Sequence, residues 1–563
     1  MRDGRKPGGV FARFAKGLRS AIAGEPERCP PIVGSTPVDA STAAAPTPAS
    51  AIELINEGLR QRQQLGTAAA VPFFERAALA EPHFHQPLFM LGNAAAELGD
   101  VDAAVVHYAR ARDLAPSDHV IRYNLGLCHF WRGFMDPAIE ELDAACRLNP
   151  SYLPARTSHL LAIHNLDRME PEAIATAIRH MGALFPGPAA TAAPPAQRSS
   201  GPGEKLRVGF VSGDFRMHSV AQFFEPILSE RDRGAFEYIC YSSCGQQDAV
   251  TERLRAGADA WRDVWQLPDD ALIDQIRADH IDILVDLSGH TEFNRLPVFA
   301  RRAAPVQITY LGFPNSTGVP AMDYRITDSL TDPSPFADGL HSEKLLRLPD
   351  SQWCFRPFGT PPETDPLPAR KNGFVTFGSF NSLAKASDTL LQCWARILSD
   401  LPDSHLRITR LRSPQRAAAI IALFARSGID AERIECIAYQ RLVHYGALAT
   451  GVDIALDHFP YNGVTTTCES LLAGVPVVSM YGAHGVSRSG LSILTSIGLE
   501  ELASASPDDY VKTAVTLAGD LERLERIRSG LRARFDQSPL RDEKRFAASF
   551  EAQLRSAWRQ SIG

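Results

Sequence analysis

The richest group of chemistry-bearing residues lies in the segment DHFPYNGVTTTCESLL. A strand pattern ends near Asp457, a Pro-Tyr-Asn-Gly turn follows, and Thr465, Thr466 and Thr467 open a helix pattern. Hydroxyl groups there suit phosphate oxygens, because the N–H groups and dipole of a helix N-terminus already favour an anion. Gly463 permits close approach of the backbone to such a ligand. The segment predicts a diphosphate site, with ordinary N-capping by a threonine as the alternative.

A second turn, FGSFNSLAKASD, carries a lysine between a strand and a helix. Asn381 and Lys385 follow the strand pattern that begins near Phe374. An ammonium group at this position would stabilise the charge on a departing nucleoside diphosphate, an effect of roughly 10²- to 10³-fold in other enzymes. An exposed loop lysine is the alternative. The sequence does not have the spacing of a P-loop nucleotidase.

A third turn, VSGDFRMHSVAQFFEPIL, places His218 just before an amphipathic helix pattern. A histidine at a strand-to-helix turn can act near neutral pH as an acid, a base or a hydrogen-bond donor. The sequence therefore makes His218 a candidate catalytic residue. A helix-capping or core histidine is the alternative.

The elements upstream of these turns repeat with a period of 34 residues, which is the tetratricopeptide period. Each repeat predicts two helices that approach closely at small residues and end at a proline. Residues 151–185 continue the helical pattern out of register, so a helical domain is expected over 51–185. Its groove suits an extended protein or peptide acceptor, whereas a dimerisation module, giving a homodimer, or a spacer is the alternative. The recurring residues are Ala77, Ala111 and Ala145; Pro82, Pro116 and Pro150; Gly92 and Gly126; and Gly99 and Gly133.

From Leu206 onward, short β-rich runs alternate with amphipathic segments, which is typical of parallel, doubly wound sheets. A Pro- and Gly-rich stretch at 356–373 divides them, so two Rossmann-like lobes are expected at 206–355 and 374–563. The segment from 507 to 563 is helical and is expected to pack across the second lobe. Residues 1–50 predict a basic, then Pro- and Ala-rich disordered tail, and 186–205 predict a linker. The runs are LRVGFV, FEYICY, IDILVDLSGH, APVQITYLGF, FVTFGSF, HLRITRL, RIECIAY, VDIALDHF and VPVVSM.

Composition narrows the class of protein. The 563 residues carry a net charge of -7, so no global basic field favours nucleic acid. The apolar runs are shorter than the ~20 residues of a membrane span, and no secretory signal opens the sequence. Nine scattered cysteines without a CxxC pair indicate reduced thiols and no structural zinc. These features predict a cytoplasmic protein without a membrane span or bound metal.

Long motifs then occur in a fixed order behind the repeats: RVGFVSGDFRMHSV, DLSGHTEFNRLPVFARRAAPVQITYLGFPNSTGVPAMDYRITD, EKLLRLP, FNSLAK and FPYNGVTTTCESLLAGVPVV. In this order the chain resembles bacterial-type O-linked N-acetylglucosamine transferases of glycosyltransferase family 41. The resemblance covers nearly everything after residue 50 and implies a GT-B fold. It also implies inverting, metal-independent transfer of N-acetylglucosamine from UDP-GlcNAc to Ser or Thr hydroxyls of proteins, with the UDP-sugar as co-substrate and no cofactor.

The resemblance also implies roles for individual residues. It makes Lys385 a diphosphate contact and catalytic residue, and His218 a second catalytic candidate. It makes Thr465 and Thr466 phosphate ligands, Ala438 and Gln440 part of a uracil-binding segment, and Glu469 a ribose-binding acid. The implied donor-binding positions are Ser382, Lys385, Ala438, Gln440, Gly463, Val464, Thr465, Thr466 and Glu469.

Three donor-pocket positions depart from the family pattern. Val464 stands where animal members have a histidine, Ser382 replaces a glutamine, and Glu469 is longer than the usual aspartate. These departures leave open a transferase that uses another nucleotide sugar, such as UDP-glucose, or a catalytically degenerate repeat scaffold. The general base also stays open, because His159 and His164 both lie near the end of the repeats without fitting the family's register.

Overall fold

The computed structural model of the protein describes residues 50–187, 205–439 and 448–562. These residues divide into two compact units. The first unit contains residues 50–166 and 376–439, and the second contains 167–187, 205–375 and 448–562. The basic tail before residue 50, most of the 186–205 linker and Gln440 lie outside the described residues. The domain boundaries proposed from sequence stay predictions.

Among the described residues, helices dominate 50–187 and alternate with strands after residue 205. The helices are α1 (Ala51–Leu65), α2 (Thr67–Ala80), α3 (His85–Glu97), α4 (Val101–Leu114), α5 (His119–Arg132), α6 (Met135–Leu148), α7 (Leu153–Ile163), α8 (Pro171–Gly182), α9 (Ser219–Glu230), α10 (Ala249–Gly257), α11 (Asp269–Ala278), α12 (Leu296–Ala300), α13 (Pro368–Asn372), α14 (Asp388–Asp400), α15 (Pro414–Ala425), α16 (Thr465–Leu472), α17 (Ser489–Ser496), α18 (Pro507–Gly519), α19 (Leu521–Asp536) and α20 (Glu543–Ile562). The strands are β1 (Leu206–Ser212), β2 (Phe236–Ser242), β3 (Ala260–Asp263), β4 (Ile283–Asp286), β5 (Val306–Thr309), β6 (Tyr324–Asp328), β7 (Lys344–Leu348), β8 (Thr376–Ser379), β9 (His405–Leu411), β10 (Ile434–Ala438), β11 (Ile454–Leu456), β12 (Val477–Met480) and β13 (Ala503–Ser504).

The helices of the first unit pair as the 34-residue period predicts. In each repeat, a glycine of the first helix faces a larger side chain 16 residues later in the second helix. A Cβ atom on Gly92 would lie 2.6 Å from the Tyr108 ring, so only glycine fits. The Tyr108 hydroxyl donates to Asn93 Oδ1 at 2.6 Å, which fixes the same helix pair. The other two pairs of this kind are Gly58 with Phe74 and Gly126 with Leu142.

The first unit also contains three parallel strands in the order β10-β9-β8. All four residues of β8 are buried, whereas β9 and β10 each include one exposed residue. The neighbouring helix α14 has an apolar face that includes the fully buried Trp394. Because the strands are parallel, the turns that leave β8, β9 and β10 lie at one edge of the sheet. That edge is where ligands bind in open α/β sheets.

The second unit contains a seven-stranded parallel sheet in the order β3-β2-β1-β4-β5-β6-β7. The sequence predicted β1, β2, β4 and β5 but not β3, β6 or β7. The β6 segment YRITD reads as polar, yet all five of its residues are buried. Arg325 is 1% exposed, and its guanidinium donates to the carbonyl oxygens of Phe313 and Asn315. Partners in the preceding loop therefore allow this polar segment to be buried as a strand.

The C-terminal helices divide between two sets of partners. Helices α18 and α19 pack on the second-lobe elements β12, β13 and α16, as predicted. Helix α20 instead packs into the core of the seven-stranded sheet, where Phe550 contacts the rings of Phe210 and Tyr310. Glu551 on the same helix accepts the Asp232 N–H at 2.8 Å. The expectation that all of 507–563 packs across the second lobe was therefore wrong for α20.

The remaining strands of the second unit, β11, β12 and β13, are parallel neighbours in that order. Arg528 of α19 is 3% exposed and holds their edge by donating to the carbonyl oxygens of Val452 and Asp365. Among the residues that the structure describes, no helix is long and apolar enough to cross a membrane.

Candidate functional site

The turn that follows β11 is closed by a buried carboxylate. Asp457 Oδ1 accepts the N–H groups of His458 and Gly463, each at 2.8 Å. Asp457 Oδ2 accepts the Ser479 hydroxyl at 2.8 Å, which ties the turn to the neighbouring strand β12. The seven residues of the turn are thus held at both ends by one side chain.

Asn462 fixes the middle of the same turn. Its Nδ2 donates to the carbonyl oxygens of His458 at 2.8 Å and Met480 at 3.1 Å. Its Oδ1 accepts the Gly490 N–H at 3.2 Å. Sequence reasoning missed this role, although an asparagine before a glycine in a turn is a signal for side-chain bonding to the backbone.

Helix α16 begins at this turn with an open N-terminus. The N-cap residue is Val464, whose side chain cannot bond the first N–H groups. No threonine is the N-cap, so the alternative of ordinary threonine capping is wrong. Thr467 is buried, and its hydroxyl donates to the Gly463 carbonyl at 3.0 Å. The half-buried hydroxyls of Thr465 and Thr466 have no hydrogen-bond partner among the described residues.

Gly463 has a steric role at the start of α16. An added Cβ atom would lie 2.3 Å from Thr466 Oγ1 and 3.0 Å from Thr467 Oγ1. One turn further along, Glu469 is half-buried. Burial raises the pKa of the adjacent Cys468 thiol well above its usual range, and the Glu469 charge adds to that rise. Cys468 therefore stays a neutral thiol. The groups that α16 can offer to a ligand are the threonine hydroxyls and the N–H groups of its first turn.

The Lys385 turn lies in the first unit, directly after β8. Residues 383–385 form one turn of 3₁₀ helix in which the Lys385 N–H donates to the Ser382 carbonyl at 2.9 Å. Asn381 Oδ1 accepts the Ser382 N–H at 2.9 Å, whereas its buried Nδ2 has no partner among the described residues. Lys385 itself is half-buried. The backbone is therefore closed on itself, and Lys385 is not a fully exposed loop lysine.

Ala438 ends β10 at the same sheet edge as the Lys385 turn. It is 5% exposed, and the next residue, Tyr439, donates its N–H to the Leu411 carbonyl at 2.8 Å. The guanidinium of Arg412 lies 4.0 Å from the centre of the Tyr439 ring, a cation–π distance. The strand order places Ala438 and the Lys385 turn on either side of the end of β9.

His218 is the N-cap residue of α9 in the second unit. Its Nδ1 accepts the Val220 N–H at 3.3 Å, and the same atom lies 3.4 Å from Asp214 Oδ1. Burial raises the pKa of the Asp214 carboxyl, an effect that the nearby His218 and Arg216 oppose. A neutral His218 can cap the helix, and a protonated one can donate to Asp214 instead. The geometry is compatible with both the capping and the proton-transfer interpretation.

The two histidines near the end of the repeats, His159 and His164, are partly buried and buried, respectively. The His164 ring is 1% exposed, and its Nδ1 lies 2.7 Å from the Leu160 carbonyl of its own helix. Burial lowers the pKa of His159, which favours its neutral form. Neither observation identifies a general base.

A buried polar network fixes the long first-lobe motif that contains NSTG. The Glu343 carboxylate accepts the Ser316 hydroxyl at 2.6 Å and the Thr317 N–H at 2.7 Å. His290 Nε2 lies 2.8 Å from the Thr317 carbonyl, and burial lowers the pKa of His290 to about 4. The neutral ring can therefore donate to that carbonyl. These residues were not singled out from sequence, since no local spacing connects them.

Tetratricopeptide-type helices are followed by parallel α/β sheets of the GT-B type, with an anion-suited helix turn at the carboxyl end of a strand, where ligands bind in such sheets. The sequence model of the family described as "Glycosyl transferase family 41" matches residues 189–355 and 367–550. A model of the tetratricopeptide repeat matches residues 55–119 and 89–152. The chain belongs to glycosyltransferase family 41.

Two relatives of this chain are named for the same activity. A Petunia hybrida protein, named a probable UDP-N-acetylglucosamine–peptide N-acetylglucosaminyltransferase SPINDLY, is 40% identical over 369 residues, which is 64% of this chain and 40% of that protein. A Caenorhabditis elegans UDP-N-acetylglucosamine–peptide N-acetylglucosaminyltransferase is 24% identical over 477 residues, which is 64% of this chain and 41% of that protein. The chain spans about two fifths of the length of these relatives.

A solved structure matches over most of the chain. It is a mutant of the Thermobaculum terrenum O-GlcNAc transferase, with 34% sequence identity and a TM-score of 0.81. The match covers 90% of this chain and 97% of that one. The repeats and both α/β regions are therefore shared with a protein of similar length.

Proposed function

We propose that this protein transfers N-acetylglucosamine from UDP-GlcNAc to Ser or Thr hydroxyls of acceptor proteins. The observation that carries the proposal is the start of α16, where two threonine hydroxyls without partners among the described residues adjoin an N-terminus that no side chain caps. Membership of family 41 and the names of the relatives support a nucleotide sugar as the ligand of that turn.

Thr465 and Thr466 are proposed to bind diphosphate oxygens, together with the N–H groups that open α16. Lys385 is proposed to contact the diphosphate and to stabilise it as it leaves. Ser382, Ala438, Gln440 and Glu469 are proposed donor-binding residues on the strength of the resemblance. His218 is proposed to contact the reacting groups.

Transfer by this mechanism is proposed to be inverting and independent of a metal ion, since helix N–H groups and a lysine can supply the positive charge that a metal would supply. The repeats are proposed to hold the acceptor segment. A homodimer and a cytoplasmic location stay predictions. The free thiols of the eight cysteines that the structure describes fit a reducing compartment.

The test is release of UDP from UDP-GlcNAc by the purified protein, with and without lysate as the acceptor source. We expect lysate-dependent release that falls about 10²- to 10³-fold in Lys385→Ala. Lys371→Ala is the matched control, because Lys371 is an exposed lysine at the end of α13. Equal rates for the wild type and Lys385→Ala would exclude the proposed role of this lysine. Activity that EDTA abolishes and a divalent ion restores would contradict the metal-independent mechanism.

A second candidate, transfer of a different nucleotide sugar, is favoured by the donor-pocket departures. Val464 presents an apolar side chain at the N-cap of α16, where animal relatives have a ring that can hydrogen-bond. Calorimetric competition among UDP-GlcNAc, UDP-glucose and guanosine diphosphate sugars separates the two candidates, because a mismatched sugar leaves polar groups unpaired at ~1 to 3 kcal/mol each. Tighter binding of any sugar other than UDP-GlcNAc would replace the first candidate with the second.

A further inference from the structure

A polar network with buried Arg132 and Ser413 at its centre joins the repeats to the sheet edge of the first unit. Arg132, at the end of α5, is 7% exposed and forms an ion pair with Asp102 of α4, with Nε 2.5 Å from Oδ1. The same Asp102 carboxylate accepts the Ser413 hydroxyl at 2.8 Å and 3.0 Å. Arg132 also donates from its other end to Gln415 Oε1 at 2.5 Å. Side chains of two repeat helices, α4 and α5, thus form hydrogen bonds with residues at the turn between β9 and α15.

The repeats touch the neighbouring turn as well. Gly133, directly after Arg132, has a left-handed conformation with φ of 80°, and a Cβ atom there would lie 3.2 Å from the Leu383 carbonyl oxygen. Leu383 opens the 3₁₀ turn that ends at Lys385. The backbone of the repeats therefore lies directly against the backbone that carries the proposed diphosphate lysine.

An aromatic contact closes the same interface. The Phe134 ring lies between two guanidinium groups, 4.8 Å from that of Arg132 and 5.0 Å from that of Arg416 in α15. Ser413 is also the N-cap of α15, since its hydroxyl accepts the Arg416 N–H at 3.1 Å. Ionic, hydrogen-bonding and cation–π contacts converge on two adjacent strand-to-helix turns, and that is more than packing of the helices requires.

We infer that Asp102 and Arg132 are positioning residues for Lys385, so that the repeats set the affinity of the protein for a nucleoside diphosphate. This inference rests on the proposed function, because it assumes that Lys385 contacts the diphosphate. The physical reason is rigidity: the turn between β8 and α14 is short, and the contact at Gly133 limits where its backbone lies. Loss of the Asp102–Arg132–Ser413 network frees that contact and lets the lysine move away from the ligand.

The test is a double-mutant cycle in the full-length protein with UDP and GDP as probes. Asp102→Asn keeps the size of the side chain but removes the charge that Arg132 and Ser413 bind. We expect it to weaken binding of the diphosphate by about threefold to tenfold, as expected for a displaced charge-assisted contact. In a Lys385→Ala background, the same substitution is expected to change the affinity less than twofold, because its effect passes through the lysine.

Two further variants separate positioning from stability. Asp143→Asn is the matched control, since Asp143 forms an exposed ion pair with Arg147 within α6. It should leave diphosphate affinity unchanged. Gln415→Ala removes an exposed partner of Arg132 at little cost to folding, so it reports on the network even if Asp102→Asn does not fold. It should weaken binding in the same Lys385-dependent way.

The outcomes are distinguishable. Equal losses from Asp102→Asn or Gln415→Ala with and without Lys385 would overturn the inference in favour of a general structural effect. Unchanged affinity in both variants, with a clear loss in Lys385→Ala, would overturn the inference and leave the proposed function standing. If the wild-type protein binds neither UDP nor GDP, the proposed function fails and the inference fails with it.

Discussion

Substitution of Gly463 by alanine tests the start of α16 most directly. The added Cβ atom would lie 2.3 Å from Thr466 Oγ1, where ordinary contacts begin at 3.4 Å. The Thr466 hydroxyl must therefore move by about 1 Å, or the turn must shift as a whole. The φ angle of Gly463 lies outside the left-handed region, so the effect of the substitution is steric and not a matter of backbone strain.

The expected magnitude follows from that displacement. A misplacement of about 1 Å in a positioning group can lower a rate by about 100-fold. Overpacking of this kind typically lowers the free energy of unfolding by about 1 to 3 kcal/mol. We therefore expect UDP release by Gly463→Ala to fall about 100-fold at temperatures where the protein stays folded. Initial rates and urea denaturation on the same samples measure both effects.

A matched control and a second-site change sharpen the test. Gly519 has no atom within 4 Å of an added Cβ, so Gly519→Ala should keep wild-type turnover and gain up to about 1 kcal/mol as a helix residue. Adding Thr466→Ala to Gly463→Ala removes the clashing oxygen, so part of the lost stability should return while turnover stays low. Wild-type turnover in Gly463→Ala, or no recovery of stability in the double variant, would refute the reasoning.

Three further predictions concern other parts of the molecule. Gly92→Ala should lower the free energy of unfolding by about 1 to 3 kcal/mol in urea denaturation, because its Cβ would lie 2.6 Å from the Tyr108 ring; unchanged stability would contradict the close helix pairing. His218→Asn keeps an N-cap side chain but loses the titratable ring, so turnover lost with unchanged stability would support catalysis, and retained turnover would reduce His218 to a cap. Burial alone would raise the pKa of Asp332, but hydrogen bonds and nearby positive charge hold it at about 2. The ionised carboxylate therefore contributes about 2 kcal/mol to stability above pH 4, and this contribution is lost as pH falls towards 2. Urea denaturation against pH should show the stability difference between the wild type and Asp332→Asn shrinking over that range, and a constant difference would contradict the assignment.

The sequence predicted well the features that short-range spacing controls. The 34-residue period located the repeat helices, and apolar runs located most strands of both sheets. The strands it missed have other causes. The polar residues of β6 are buried with partners outside the strand: Arg325 donates to two carbonyl oxygens of the preceding loop, and Asp328 accepts the Ser492 hydroxyl. The two residues of β13 are too few to form a pattern.

The candidate site shows the same division. The order strand, turn and helix around Gly463 was visible in the sequence, as were the threonines. The atoms that hold this turn were not, because Ser479 is 22 residues from the Asp457 carboxylate it bonds. Thr467 was grouped with its neighbours by residue type, yet its hydroxyl bonds a backbone carbonyl of its own helix turn. Only three-dimensional contacts distinguish it from Thr466.

Helix α20 shows why amphipathicity alone cannot choose a packing partner. Its apolar face does not by itself name a partner, because the partner also depends on where the chain crosses back after α19. At that crossing the Phe355 N–H donates to the Leu540 carbonyl at 2.8 Å, and Arg541 donates to the Phe355 carbonyl at 2.7 Å. This pairing of two distant segments places Phe550 in the core of the seven-stranded sheet. That core therefore includes residues of α20, so the lobe built on the seven-stranded sheet is not a continuous stretch of sequence.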